Sequence, residues 1–231
     1  MLELRPFDRL GRFDGDWLDA HYHFSFADYF DPERMGLGKL RVWNDDTIQP
    51  GTGFPPHGHR DMEIITYVRE GAVTHQDSLG NVGRTEAGQV QVMSAGTGIR
   101  HSEANADGQV LRLFQIWIVP DRAGRLPRWE TRPFPRDHGR LELLASGRDE
   151  DVAAGVPRIY QEARVLAGTM DRGDRVSCPL FHRHAYLVPA KGGVIVNGLE
   201  VPERSGLLAV DEATLEIDAA EHAEIVVVDV A

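Results

Sequence analysis

His57 and His59, in GTGFPPHGHRDME, are separated by one residue and stand just before an apolar run, so two imidazoles could grip one metal ion. In a β-strand the side-chain period is two, and residues 57 and 59 then project from one face with converging ring nitrogens. His101 and Glu103, in TGIRHSEAN, repeat the spacing with a carboxylate in place of one imidazole. An isolated His-x-His is more often a pair of polar loop residues. The second pair shifts the balance, because Gly51, Gly53, Gly58, Gly96 and Gly98 surround the two motifs and would let their backbones turn and approach one ion.

Three neutral nitrogens and one carboxylate oxygen suit a divalent transition metal. Imidazole with carboxylate fits iron, nickel, manganese, cobalt, copper or zinc, whereas Ca²⁺ and Mg²⁺ prefer all-oxygen sites and structural zinc usually recruits thiolates. With Fe²⁺, four protein ligands would leave two octahedral positions for substrate and O₂. The formal charge of about +1 at the ion would favour an anionic fifth ligand such as a phenolate or enolate. Glu63 is a rival: strand alternation from His59 puts Asp61 and Glu63 on the histidine face. Its other role would be to accept an imidazole N–H and so fix a tautomer.

These residues must be held by strands. Short apolar or alternating runs, KLRVWNDD, MEIITYVREG, AVTHQDSLGN, GQVQVMSAG and LRLFQIWIVP, are punctuated by Gly, Pro, Asn and Asp, the signature of hairpin-rich β-structure. Ser78-Leu79-Gly80-Asn81 and Glu86-Ala87-Gly88 read as tight turns. Residues 121 to 151, rich in Pro, Arg and Gly, read as a crossing linker containing a domain boundary. Beyond it the β-rhythm resumes from ARVLAGTM to EIVVVDV as a shorter rerun of the first half. The expectation is an all-β chain of two similar barrels with few short helices. Residues 1–130 would form the domain with the metal site and 131–231 the second domain with the linker.

The chain has 231 residues, 42% hydrophobic and 26% charged, ordinary globular proportions, and no apolar run nears the roughly 20 residues of a membrane helix. No secretory signal opens it, so a cytoplasmic protein is expected. A formal net charge of −11 argues against direct binding to nucleic acid or anionic membranes, which require Lys/Arg patches. The lone Cys178 cannot close an intrachain disulfide and reads as a small buried hydrophobe.

Other histidines attract less weight. His182 and His184 imitate the first pair, but no HxE-like segment follows, and His222 alone is a poor third ligand, so the second barrel is expected to lack a metal. His21 and His23 read as partly buried strand residues, His75 as an ordinary strand or turn residue, and His138 as part of the linker. Trp43, Trp117 and Trp129 read as core or packing residues.

PGTGFPPHGHRDMEIITYVREGAVTHQDSLGN and GQVQVMSAGTGIRHSEAN, with HYHFSFADYFDPERMG and LFQIWIVPDRAG, strongly resemble the pirin family of the cupin superfamily. The resemblance implies a bicupin whose first barrel binds one metal, usually iron, through positions falling on His57, His59, His101 and Glu103. It also moves Glu63 from ligand to neighbour of the ligands. The likeness is strongest to the bacterial branch, some members of which cleave flavonols such as quercetin with O₂ and release carbon monoxide. It therefore implies a dioxygenase acting on a small hydroxylated aromatic substrate, with Glu103 also the base that takes the flavonol 3-hydroxyl proton. The alternative is a non-catalytic, metal-binding regulator acting through protein partners, as eukaryotic pirins do. A monomer is expected, since duplicated barrels can bury each other's faces.

Overall fold

A computed structural model of the chain describes residues 1–136, 138–180 and 184–231. Within them helix is confined to a 3-10 turn at Phe7–Arg9 and a short α-helix at Asp149–Ala153, and the rest of the regular structure is antiparallel sheet. Two compact units result, one of residues 11–134 with 157–161, the other of residues 1–10, 135–156 and 162–231.

The first unit has a seven-stranded sheet in the order Arg128–Pro133, Gln89–Ser94, Glu63–Glu70, Leu111–Ile118, Leu40–Ile48, Leu18–Tyr22, Gly11–Asp14. Its four-stranded sheet runs Thr52–His59, Ile99–Asn105, Ala72–Asp77, Val82–Glu86. The second unit repeats the plan: Leu2–Arg5, Gly206–Ala209, His184–Lys191, Ala223–Val230, Ala163–Met170, Arg140–Ser146 form one sheet. Arg175–Pro179, Thr214–Ala219, Val194–Val196, Leu199–Val201 form the other. The expected internal repeat is therefore a repeat of strand order as well as of rhythm.

Chain order and unit membership diverge at the N-terminus. Leu2–Arg5 pairs with Gly206–Ala209 and so clusters with the later unit, a long-range pairing that no local pattern announces. The region read as a linker also differs from expectation, for it holds two paired strands. Arg128–Pro133 adds to Gln89–Ser94, and Arg140–Ser146 adds to Ala163–Met170. Proline and arginine density masked them. Pro133 sits at the end of its edge strand, where a missing N–H costs no ladder bond.

The two interiors differ in chemistry. Strands Arg175–Pro179 and Thr214–Ala219 occupy in the second unit the places of the two motif-bearing strands in the first, yet their buried side chains are Val176, Cys178, Leu215, Ile217 and Ala219. Among the described residues, the buried side chains of these two strands include no imidazole and no carboxylate. His184 opens a strand; His182 lies outside the described residues. Among the described residues no helix is long and apolar enough to cross a membrane.

Candidate metal centre

The two motifs meet because their strands are neighbours. Thr52–His59 pairs with Ile99–Asn105, with His101 opposite His57 and Glu103 opposite Phe54. Three steps on one strand thus face two on the other, a bulge centred on Pro55 and Pro56, which have no N–H to give the ladder. Gly53 lets the strands close: a Cβ there would lie 2.3 Å from the Glu103 carbonyl oxygen and 2.5 Å from Ala104 Cα.

His57, His59 and His101 each place a ligand atom within 4.8 Å of the others, and Glu103 falls in an overlapping group with His101 and His75. His101 and Glu103 are 2% exposed, and the His57 and His59 rings are partly open. Burial, with the neighbouring imidazoles His101 and His57, lowers His59 to about 4; burial, with His57 and His75, lowers His101 to about 3. Both rings are therefore neutral near pH 7, the form that binds metals.

Hydrogen-bond partners fix where the ring protons sit. Asp77, although burial alone would raise its pKa, is held below the usual carboxylate range by hydrogen bonds from Asn81, His75 and backbone N–H groups. As an ionised acceptor it takes the Nε2–H of His75 at 3.0 Å. With its Nε2–H on Asp77, His75 turns Nδ1 to His101, which donates its Nδ1–H there at 3.3 Å. On the other side the Pro55 carbonyl accepts the Nδ1–H of His57 at 2.8 Å. Both rings are thereby left with bare Nε2 atoms, and these face each other 3.1 Å apart.

Two lone pairs at that distance repel unless a proton or cation lies between them. Nitrogens bound to one ion at about 2.1 Å and at right angles sit about 3.0 Å apart. The residues present therefore fit a metal ion.

Glu103 is set from behind. Gln91 Nε2 donates to its Oε1 at 2.6 Å and Gln115 Nε2 to its Oε2 at 2.7 Å, while Trp117 Nε1–H donates to Gln115 Oε1 at 3.1 Å. Trp117 also packs edge-on against His59, with centroids 4.9 Å apart, and Trp129 stacks on His75 at 4.7 Å and 11°. Gly83 leaves room for Trp129, whose ring edge lies 2.1 Å from where a Cβ would be. Trp117 and Trp129 pack against the Ile64, Met93, Ala95 and Ile99 cluster, as read, and also border the site. Trp43 is core, near His23 and Phe114.

Three expectations are corrected. Glu63 does not share the histidine face: Asp61 adopts φ 48°, which breaks the strand and shifts the alternation. Glu63 instead lies on the side of its strand opposite to Thr66, accepts from Ser94 Oγ at 2.7 Å, and is raised by burial to about 7. His75, read as ordinary, is the hydrogen-bonded link between Asp77 and His101. His21 and His23 are buried, with His21 paired to Asp45 across the sheet and directed away from the centre. Gln91, Gln115 and Asp77 had no motif to mark them. Their only signal was alternation on strands whose pairing the sequence does not state.

Residues 4–118 match the Pirin family model and residues 143–230 match the model described as the quercetinase C-terminal cupin domain. A Caulobacter vibrioides pirin-like protein is 54% identical over the whole of both chains. An Escherichia coli protein named quercetin 2,3-dioxygenase is 40% identical over 99% of this chain and 98% of its own. The crystal structure of the E. coli bacterial pirin YhhW in complex with nickel(II) superposes with a TM-score of 0.93 at 40% identity, covering 100% of this chain and 99% of that one. On this sequence identity along its full length, and with two cupin units in its fold, the chain belongs to the pirin family.

Proposed function

We propose that His57, His59, His101 and Glu103 hold one divalent transition metal, Fe²⁺ in the first instance, and that the protein is a dioxygenase that cleaves a flavonol such as quercetin with O₂ and releases carbon monoxide. The observation that carries the metal is the pair of bare Nε2 atoms of His57 and His101 at 3.1 Å, each fixed from behind by its own partner. The nickel complex of the related E. coli pirin supports a divalent ion. The name of the 40% identical E. coli relative supports the reaction.

A bound redox-active ion would acidify a coordinated hydroxyl and bring substrate and O₂ together. The chain's own groups do the rest. Glu103 accepts the substrate hydroxyl proton on a carboxylate oxygen, each of which keeps a lone pair beyond its glutamine hydrogen bond. Trp117 offers an aromatic wall beside His59.

Deeper in the barrel, Asn44 lies across the sheet from Gln115 and Asp46 across from Leu113, so both share the face that holds the Glu103 carboxylate. Among the described residues, Asn44 Oδ1, Asp46 Oδ1 and Gln91 Oε1 are buried acceptors with no hydrogen-bond donor. Burial, with Asp45 and Glu103 nearby, pushes the Asp46 carboxyl well above its usual range. Buried, unfilled acceptors suit a ligand rich in hydroxyl groups.

The test is to load the protein with Fe²⁺ and titrate flavonols that lack individual hydroxyls. Turnover of the full flavonol, with KM rising as hydroxyls are removed and in Asn44→Ala, supports the reading. No flavonol turnover with iron, nickel, manganese, cobalt or copper sinks it.

A further inference from the structure

The second unit carries its own cluster of metal-ligating side chains, remote in sequence from both motifs. His138, Asp171 and His222 each place a ligand atom within 4.8 Å of the others. His138 Nδ1 lies 2.9 Å from Asp171 Oδ2, and His222 Nδ1 lies 3.0 Å from Asp171 Oδ1. We propose that these three residues form a second divalent-metal site, open to solvent, that takes Zn²⁺, Ni²⁺ or Cu²⁺.

Sheet topology delivers the ligands. Ala163–Met170 is flanked by Arg140–Ser146 on one side and Ala223–Val230 on the other. Met170 pairs with Ala223, so Asp171 and His222 follow as the next residues beyond the end of that ladder. His138 bridges Thr169, and the N–H of Gly139 donates to the Thr169 carbonyl at 2.9 Å, which anchors the third ligand at the same end. One residue from each of three adjacent chain segments therefore reaches one spot.

The backbone that carries Asp171 is fixed as well. The Asp171 N–H donates to Asp174 Oδ2 at 2.8 Å, and the Asp174 N–H donates to the Asp171 carbonyl at 2.9 Å, closing a tight turn.

The chemistry selects the ion. Two imidazoles and one carboxylate favour the later transition metals over Ca²⁺ and Mg²⁺, which want oxygen sets. The nitrogen–oxygen separations match the roughly 3 Å between neighbouring ligands of an ion held at about 2.1 Å. The rings are about half exposed, 49% for His138 and 42% for His222, so water would complete the coordination. Binding through both Nδ1 atoms would leave each ring's proton on its solvent-facing Nε2 and clamp the segment that enters Arg140–Ser146 to the sheet. The same atoms could be a plain His–Asp–His hydrogen-bonded chain, and the experiment separates the two.

Zn²⁺ is titrated by calorimetry into His57→Ala/His101→Ala, which removes the barrel site, and thermal unfolding is followed at the same ratios. One equivalent should bind and raise Tm, and His222→Ala or Asp171→Asn should weaken that binding at least ~tenfold and abolish the Tm shift. Cu²⁺ in the same background should give an electron paramagnetic resonance spectrum coupled to two imidazole nitrogens. Should the double variant fail to fold, the comparison is stoichiometry: two equivalents in the unmodified protein and one in His222→Ala. No saturable binding in the double variant, binding indifferent to both second-site substitutions, or equal stoichiometry in the stoichiometric comparison overturns the proposal. None of these results depends on flavonol turnover.

Discussion

The Nε2 atoms of His57 and His101 face each other at 3.1 Å while the opposite nitrogen of each ring is committed, to the Pro55 carbonyl and to His75. Two lone pairs facing each other at that distance are a standing electrostatic cost that a cation relieves. His57→Ala and His101→Ala are each expected to lose stoichiometric metal from the barrel site, because each removes one of the two Nε2 atoms that face each other at 3.1 Å. Metal analysis after dialysis against a weak chelator checks this. Retention of a full equivalent by either variant in a His222→Ala background, which removes the proposed second site, contradicts it.

In the proposed site the hydrogen-bonded chain Asp77–His75–His101 orients the His101 ring without touching the ion. Breaking it with His75→Ala or Asp77→Asn should lower metal affinity by about 10–100-fold, in line with losses at other outer-shell partners. His75→Gln, which can still accept from His101, should recover part of it. Competition with a chromophoric chelator measures the affinity. Equal affinities across the series would assign His75 to packing against Trp129 alone.

Glu63 governs a pH dependence of its own. Burial raises it from an ordinary 4.5 to about 7, so the fold binds its proton more tightly than the unfolded chain does. The stabilisation is fully present below pH 4.5 and is lost as pH rises to about 7, on the order of 3 kcal/mol at most. Glu63→Gln cannot ionise and should lack that decline. Urea denaturation from pH 4.5 to 8 on both proteins checks it, and parallel curves refute it.

Gly53→Ala tests the close approach of the two motif strands. The added methyl would meet backbone at 2.3 Å, which neither strand can yield without moving a ligand, so a loss of roughly 1–3 kcal/mol is expected together with weaker metal binding. Denaturant midpoints and metal titration read the two effects separately.

The meeting of the two motifs was legible because His-x-His and His-x-Glu state their own geometry once a strand is assumed, and tight turns at Gly80 and Gly88 appear as read, both with positive φ. The strand phase failed at Glu63, where the left-handed Asp61 resets the alternation. His75 and Asp77 stayed hidden for another reason. Their value depends on the pairing of Ala72–Asp77 with Ile99–Asn105, and long-range register leaves no local trace in a sequence. The same holds for Leu2–Arg5, which finds its partner some two hundred residues away.

The central claim is tested most directly by carbon monoxide. The protein is reconstituted anaerobically with Fe²⁺, mixed with quercetin and then exposed to O₂, and flavonol loss is followed together with released CO. One CO per quercetin consumed, abolished in His101→Ala, is the expected result. Flavonol loss without CO, or full activity in metal-free protein, would contradict the account.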